Sequence, residues 1–250
     1  MVKGNASQVH ILNGDALRTQ FPDQIDGEKI VLRECLVDGG VSGNDLNELF
    51  ETRSQFLANN YGGSVEDYYI KFVPEVEKIL GIDQNSEVCL WFEDDLFCQV
   101  NLWFTLNLLC ENKNVFNISL VRPSSGLALG FGGMSKDELF KGFQNRSKIT
   151  NLELLGSLWR NYQENNLTDL HKAGVRLSDE YPFVLNAIEA HIKRQADENG
   201  EDHLRHTLRE ISKELGTNEF GAIFREFHKR EPIYGFGDLQ VRRILKELGL

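Results

Sequence analysis

Three consecutive carboxylates, Glu93-Asp94-Asp95, follow directly after a short apolar run at residues 88–92. A run of this length and composition is typical of a buried strand. The next residues are mostly apolar as far as Leu109 and predict a buried helix. A strand, an acidic turn and a helix form half of a βαβ unit, and open α/β sheets bind ligands at the carboxyl ends of their strands. The sequence therefore predicts a binding site at this turn.

The acids of the turn limit what it can bind. Carboxylates at a helix N-terminus accept the free N–H groups and stabilise the helix dipole, so capping alone would explain Asp94 or Asp95. A helix start that already holds carboxylates is also a poor phosphate site, unlike a glycine-rich turn. We expect a cation, an amine or sugar hydroxyls at the turn. Phosphate, if bound, would lie closer to Arg33, Arg122 or the Asn13-Gly14 backbone.

Polar residues also follow the other predicted strands, at 8–12, 30–32 and 115–121. Because the carboxyl ends of parallel strands meet at one edge of a sheet, these residues should line a common crevice. The competing interpretation is that turns are polar simply because they face water. We interpret the set as a crevice for a small polar ligand, such as a nucleotide or sugar derivative. The predicted ligand-binding residues are Asn13, Asp15, Arg33, Glu34, Glu93, Asp94, Asp95, Gln99 and Arg122.

The sequence leaves open whether this crevice is catalytic. If it is, one of its carboxylates would be the general base. The chain contains no Walker A, G-x-S-x-G or G-x-G-x-x-G signature, so no cofactor is named. His203 and His206 share a predicted helix, but their charged surroundings favour a solvated helix face over a metal site, and no metal is predicted. The glycine-rich segment 124–134 is either a connector or a mobile lid over the crevice.

Strands alternate with helical patterns at 44–59, 64–80 and 96–109. This alternation predicts an α/β fold for residues 1–147, with a Rossmann-like, mostly parallel sheet and helices on both faces. After residue 147 the strand patterns end, which predicts an all-α C-terminal domain at residues 148–250. Its predicted helices are 151–164, 178–195, 202–215, 218–229 and 237–248.

The last three of these helices have the outline of a helix-turn-helix module. Arg242, Arg243 and Lys246 lie away from the apolar stripe of the final helix and would face DNA phosphates in such a module. This is the alternative hypothesis, a non-catalytic regulatory or interaction protein. A packing or dimerising role for the same helices is favoured over DNA binding, and a homodimer is compatible with the sequence.

Charge and composition restrict the partners. The net charge is −11, and residues 191–250 contain equal numbers of acidic and basic side chains, so the excess lies before residue 191. An acidic surface disfavours broad nucleic-acid binding. No run approaches the roughly 18 apolar residues of a membrane span. The four cysteines form no C-x-x-C pair and predict reduced thiols, and no signal peptide is recognised, so a cytoplasmic location is expected.

Several short blocks together resemble a bacterial family known as domain of unknown function eighteen thirty-five. The resemblance implies an α/β N-terminal domain followed by a helical one, and it implies no established activity. The chain departs from the family pattern at residues 36–40, where a Leu-Ser-x-Gly-Pro run is usual, and in a charged insert at about 196–204. The matching blocks are His10-Ile11-Leu12-Asn13-Gly14-Asp15, Arg33-Glu34-Cys35-Leu36, Trp91-Phe92-Glu93-Asp94-Asp95 with Gln99 and Leu102, Arg122-Pro123, Tyr181-Pro182-Phe183 with His191, and Gly237-Asp238.

Overall fold

A computed structural model describes residues 7–112, 117–124, 130–197 and 200–250. Its centre is one five-stranded sheet with the order β2-β1-β3-β4-β5. The first four strands are parallel, and β5 pairs antiparallel with β4. The prediction of an α/β protein with a mostly parallel sheet is therefore confirmed. The strands are β1 (Gln8–Asn13), β2 (Glu28–Leu32), β3 (Glu87–Trp91), β4 (Asn117–Val121) and β5 (Ser147–Lys148).

The middle strand β3 is apolar on both faces over residues 88–91, which explains its continuous hydrophobic run. Along β3, Val88 and Leu90 join a large core cluster on one face, and Cys89 and Trp91 join a smaller cluster on the other. All four are fully buried. A strand that alternates between two buried faces needs helices on both sides of the sheet. The sequence signal was strong here because no polar side chain interrupts the strand.

Six helices belong to the first part of the chain: α1 (Asp15–Gln20), α2 (Leu46–Leu57), α3 (Val65–Lys71), α4 (Val73–Leu80), α5 (Leu96–Glu111) and α6 (Lys136–Gln144). The helix predicted at 64–80 is two helices with a break at Phe72. Pro74 sits in the first turn of α4, where its missing N–H is tolerated, whereas a continuous helix would lose a backbone hydrogen bond there. A capping box between Ser135 and Glu138 begins α6.

Six more helices follow: α7 (Leu152–Gln163), α8 (Leu167–Leu177), α9 (Pro182–Lys193), α10 (His203–Leu215), α11 (Phe220–Arg230) and α12 (Asp238–Leu248). Two elements were not predicted. The buried stripe of α8 contains the small residues Ala173 and Gly174 beside two leucines, which weakens its hydrophobic period. The strand β5 has two exposed residues and no apolar pattern at all.

Helix α5 joins the two parts of the chain. All of its residues except Phe97, Cys110 and Glu111 are buried. One face of α5 covers the sheet. Helices α7 and α9 of the C-terminal part pack against the outer face of α5. As a result, one core cluster contains residues from both sides of the boundary predicted at residue 147, and the two-domain division stays a prediction.

Both edges of the sheet are occupied by other groups. At the β2 edge, the backbone N–H of Val31 donates to Glu75 Oε2 at 2.8 Å. At the other edge, the short β5 covers part of β4.

The structure also bears on the predictions about membrane spans, cysteines and the glycine-rich segment. No helix in the described ranges is long and apolar enough to cross a membrane. Cys35, Cys89, Cys98 and Cys110 are unpaired. Residues 115–116 of the predicted fourth strand and 125–129 of the predicted lid lie outside the described residues.

Candidate functional site

The carboxyl ends of β1 and β3 open into a cavity of about 300 Å³. Three residues predicted from the sequence line it: Asn13 at the end of β1, and Glu93 and Asp95 just after β3. The predicted position, at the carboxyl edge of the parallel strands, is therefore occupied by a real cavity. Its other lining residues are Ala16, Leu17, Gln20, Phe97, Cys98, Gly130, Phe131, Gly132, His228, Pro232 and Gly235.

Glu93 is held between the sheet and the 3-10 turn Gly130–Gly133. Its Oε1 accepts the backbone N–H of Phe131 at 2.6 Å. The pKa of Glu93 is raised to about 7, chiefly by burial and also by the negative charges of Asp95 and Asp94, while the hydrogen bond from the Phe131 N–H acts in the opposite direction. A carboxyl group with this pKa exists in both protonation states near neutral pH, which is the property required of a general acid or base.

Asp95 is the N-cap of α5, and its Oδ1 accepts the backbone N–H of Cys98 at 2.9 Å. The capping role considered for this turn is therefore real. Asp95 is only 3% exposed, and burial raises its pKa as well. A buried carboxylate and a half-buried one beside the same cavity are costly to ionise together, so the site favours one shared proton or a bound cation.

Three amide side chains form hydrogen bonds with the residues around the two acids. Asn101 Nδ2 donates to Asn13 Oδ1 at 2.8 Å, and Asn13 Nδ2 donates to Cys98 Sγ at 2.9 Å. Gln99 Nε2 donates to the backbone carbonyl of Glu93 at 2.8 Å. Gln99 was predicted as a ligand-binding residue, but it is 1% exposed and does not line the cavity. It fixes the backbone of Glu93 instead.

Glu34 does not reach the cavity. It forms a buried ion pair with Arg53, with Nε–Oε1 at 2.7 Å and Nη2–Oε2 at 2.9 Å, and both side chains are fully buried. Arg53 also donates to the carbonyls of Asp38 and Gly40. Glu34 therefore stabilises the loop that follows β2. Its position at the end of a strand was compatible with this role and with ligand binding, so the sequence did not distinguish between them.

The other four predicted residues form two ion pairs outside the cavity. Arg33 binds Asp15 through Nε at 2.7 Å and Nη2 at 2.9 Å. Arg122 binds Asp94 through Nε at 2.7 Å and Nη2 at 2.5 Å, and its guanidinium lies 4.1 Å from the ring centre of Phe183 on α9. The cations considered for phosphate binding are thus paired with carboxylates.

The C-terminal part closes the cavity, which the sequence did not predict. His228 on α11 lines it, and His228 Nε2 is enclosed without a hydrogen-bond partner in the described structure. Gly235 has φ +63°, and a Cβ atom there would overlap the Asp95 carboxylate. Nothing in the residues Tyr234-Gly235-Phe236-Gly237 indicates contact with residues so far away in the chain.

The cavity also suits a cation. A carboxylate oxygen of Glu93, one of Asp95 and the sulfur of Cys98 lie within 4.8 Å of one another. Hard cations prefer the oxygens, and softer metals accept the thiolate. His203 and His206 lie outside the cavity. His203 Nε2 is 2.6 Å from Glu231 Oε1, and His206 Nε2 is 3.3 Å from Glu210 Oε1.

Comparison of the chain with protein-family models, curated proteins and solved structures finds no match. The resemblance to the family known as domain of unknown function eighteen thirty-five therefore stays a prediction. Functional inference has to come from the geometry of the cavity.

Proposed function

We propose that the strand-end cavity binds a small polar ligand through hydroxyl or amine groups, or a cation, and that Glu93 acts there as a general acid or base. The observation that carries this proposal is a half-buried carboxylate, with a pKa near 7, in the wall of a cavity at the carboxyl ends of β1 and β3. Perturbed titration inside a concave site is a recognised mark of functional residues.

Size and charge define the ligand class. About 300 Å³ is at the lower end of the range for small-molecule sites, which fits a sugar or nucleoside-sized group. The described lining contains no lysine or arginine. A phosphate on the ligand would therefore lie outside the cavity, and hydroxyls or an ammonium group would face Glu93 and Asp95.

The residues around Glu93 hold its carboxyl group in a position suited to proton transfer. The Phe131 N–H fixes one oxygen of Glu93, and Gln99 holds its backbone, so the carboxyl group is preorganised. The nearby Asp95 charge opposes a second negative charge and keeps a proton on Glu93 at lower pH. At higher pH the same carboxylate would accept a proton from a ligand hydroxyl or ammonium group.

We infer a Rossmann-like domain because four parallel strands carry helices on both faces, and a C-terminal helical domain because the described residues 152–248 contain no further strand. A cytoplasmic location is supported by four unpaired cysteines.

A thermal-shift screen with neutral sugars, nucleosides, small amines and divalent cations tests the proposal. A ligand of the native state raises the melting temperature in a saturable way. We expect such a rise for wild type, a loss in Glu93→Gln, and no change in Glu51→Gln, which removes an exposed carboxylate on α2. Absence of any saturating compound, or equal shifts in Glu93→Gln, would contradict it.

The alternative regulatory or DNA-binding role has less support. Arg243 pairs with Asp38, with Nε–Oδ2 at 3.1 Å, and with Glu247, while the Arg242 guanidinium lies 3.5 Å from the ring centre of Phe220. Two of the three basic residues of α12 are thus engaged within the chain. Salt-dependent retention on a DNA column that is lost in Arg242→Ala would favour this alternative.

A further inference from the structure

A second cavity, of about 790 Å³, lies between residues 42–49, α5 and α7. It shares no lining residue with the strand-end cavity. Its volume is within the range of small-molecule sites. The residues that matter here are Asn107 and Glu111 of α5 and Trp159 and Arg160 of α7.

Asn107 is a buried amide with its hydrogen-bonding capacity unused. It is 7% exposed and lines the cavity, and its side chain has no hydrogen-bond partner among the described residues. Two polar residues earlier on α5 are satisfied, since Asn101 donates to Glu34 O at 2.7 Å and Thr105 donates to Asn101 O at 2.8 Å. The Asn107 amide atoms are not enclosed by the protein, so they open into the cavity and are free to bond a molecule that enters it.

Trp159 supplies a second unused donor. It is 3% exposed, lines the same cavity, and its indole N–H meets no acceptor within the described ranges. Trp91 provides the contrast, because its Nε1–H donates to His10 Nδ1 at 3.1 Å. Buried tryptophan N–H groups usually have a hydrogen-bond acceptor. Because the Trp159 N–H lies at a cavity and has no acceptor from the protein, a molecule bound in the cavity could supply one.

Four charged residues complete the wall, the carboxylates Asp45, Glu111 and Glu164 and the guanidinium of Arg160. Arg160 and Glu111 are exposed, and neither forms an ion pair with a described residue. The lining therefore carries a net negative charge, which disfavours an anionic occupant. An uncharged occupant would be recognised by its hydrogen-bonding pattern.

We propose that this cavity binds a small neutral ligand with a planar amide edge, meaning a carbonyl acceptor next to an N–H donor. The Asn107 side chain offers the complementary donor and acceptor together, and Trp159 donates to a further acceptor on the same molecule. Nucleobases and free carboxamides both carry this edge. The proposal does not depend on the function of the strand-end cavity.

The indole N–H signals in ¹H–¹⁵N NMR spectra provide a test on the unaltered protein. The signal of Trp159, assigned with Trp159→Phe, should shift in a saturable way with one of two probe sets. One set is adenosine and cytidine, and the other is nicotinamide and L-glutamine. The Trp91 signal should stay in place, because its N–H is already bound to His10.

Matched variants locate the binding. Asn107→Leu keeps the side-chain size and removes the amide, and we expect about tenfold weaker binding of the active probe, as for one buried hydrogen bond. Trp159→Phe should weaken binding to a similar degree, and Arg176→Gln, an exposed position on α8, should not. The Asn107→Leu variant should fold at least as stably as wild type, since it removes an unpaired buried amide.

Two results would overturn the proposal. One is that no probe in either set shifts the Trp159 signal at about 1 mM, a concentration that detects even weak affinity. The other is a probe that binds equally well to Asn107→Leu and Trp159→Phe. Either result is separate from the outcome for Glu93→Gln, which concerns the other cavity.

Discussion

At the scale of single residues, the chemistry of Glu93 is governed by what surrounds it. Its carboxyl group is half-buried beside Asp95, and folding raises its pKa from 4.5 to about 7 mainly by burial. Between these pH values the native state holds a proton that the unfolded chain releases. The free energy of unfolding contributed by this group therefore falls as the pH rises from about 4.5 to about 7.

Glu93→Gln removes that pH dependence, because glutamine does not ionise. We expect the variant to gain stability relative to wild type on going from pH 5 to pH 8, by up to about 3 kcal/mol. Urea unfolding of both proteins at the two pH values measures the effect. A stability difference that is the same at pH 5 and pH 8 would show that Glu93 ionises normally. Glu51→Gln, on the exposed side of α2, serves as the control.

The buried pair of Glu34 and Arg53 gives a second residue-scale prediction. Arg53→Met leaves a carboxylate buried without its partner, and we expect a loss of about 3–5 kcal/mol in denaturant unfolding. Combining it with Glu34→Leu should recover only part of this loss, because the carbonyls of Asp38 and Gly40 also lose their donor. A loss below about 0.5 kcal/mol, as expected for exposed Arg176→Met, would be inconsistent with a structural pair.

At this scale, sequence reasoning placed candidate residues at the carboxyl ends of the strands but did not separate those that line the cavity from those that form ion pairs. Asn13, Glu93 and Asp95 line the cavity, whereas Glu34 and Arg122 are occupied by Arg53 and Asp94. Strand periodicity tells where a chain turns. It does not tell which side chain from another element arrives there, and Arg53 is on a helix that follows β2.

At the scale of elements, the turn between α11 and α12 closes the strand-end cavity. Gly235 lies in this turn with φ +63°, and any side chain there would overlap the Asp95 carboxylate. Gly235→Ala should therefore cost the left-handed penalty of about 1–2 kcal/mol and the displacement of Asp95 in addition. Chemical denaturation measures the stability, and the thermal-shift response to a strand-end ligand measures the site.

Gly249→Ala is the matched control for this prediction. It has φ +72°, and nothing lies within 4 Å of the added Cβ atom. It should show the backbone penalty alone and normal ligand binding. Equal effects of the two substitutions would mean that the close approach of Gly235 to Asp95 does not matter for the site.

Elements with strong hydrophobic periods were predicted well, and those that depend on local exceptions were not. Helices α2, α7 and α12 were placed within about two residues of their observed ends. The break at Phe72 depends on Pro74. Because proline is also common in the first turn of a helix, its presence did not show whether a new helix starts there or the previous one continues. The α8 stripe was missed because small residues bury little area.

At the scale of the whole molecule, one core cluster runs from the sheet through α5 into the C-terminal helices. We expect full-length protein to unfold in one cooperative transition, with coincident near-UV and far-UV circular dichroism curves. A fragment of residues 1–150 should lack a cooperative transition, because removing α7 and α9 exposes the outer face of α5. Independent cooperative folding of that fragment would support two separate domains instead.

The whole-molecule arrangement also explains why part of the site escaped prediction. His228 and Gly235 are far from Glu93 in the chain, and only the packing of the C-terminal helices brings them to the same cavity. Alternation of strands and helices predicts a sheet and its ligand edge. It carries no information about which later helices return to cover that edge.

The occupied edges of the sheet have a consequence for aggregation. An open edge strand is a template on which another chain can add a strand and start a fibril. Here a Glu75 oxygen accepts the Val31 N–H at one edge, and the opposite edge ends in a strand of only two exposed residues, Ser147 and Lys148. A partner chain therefore finds little free backbone to pair with. We infer that the native fold is protected against growth of intermolecular β-structure.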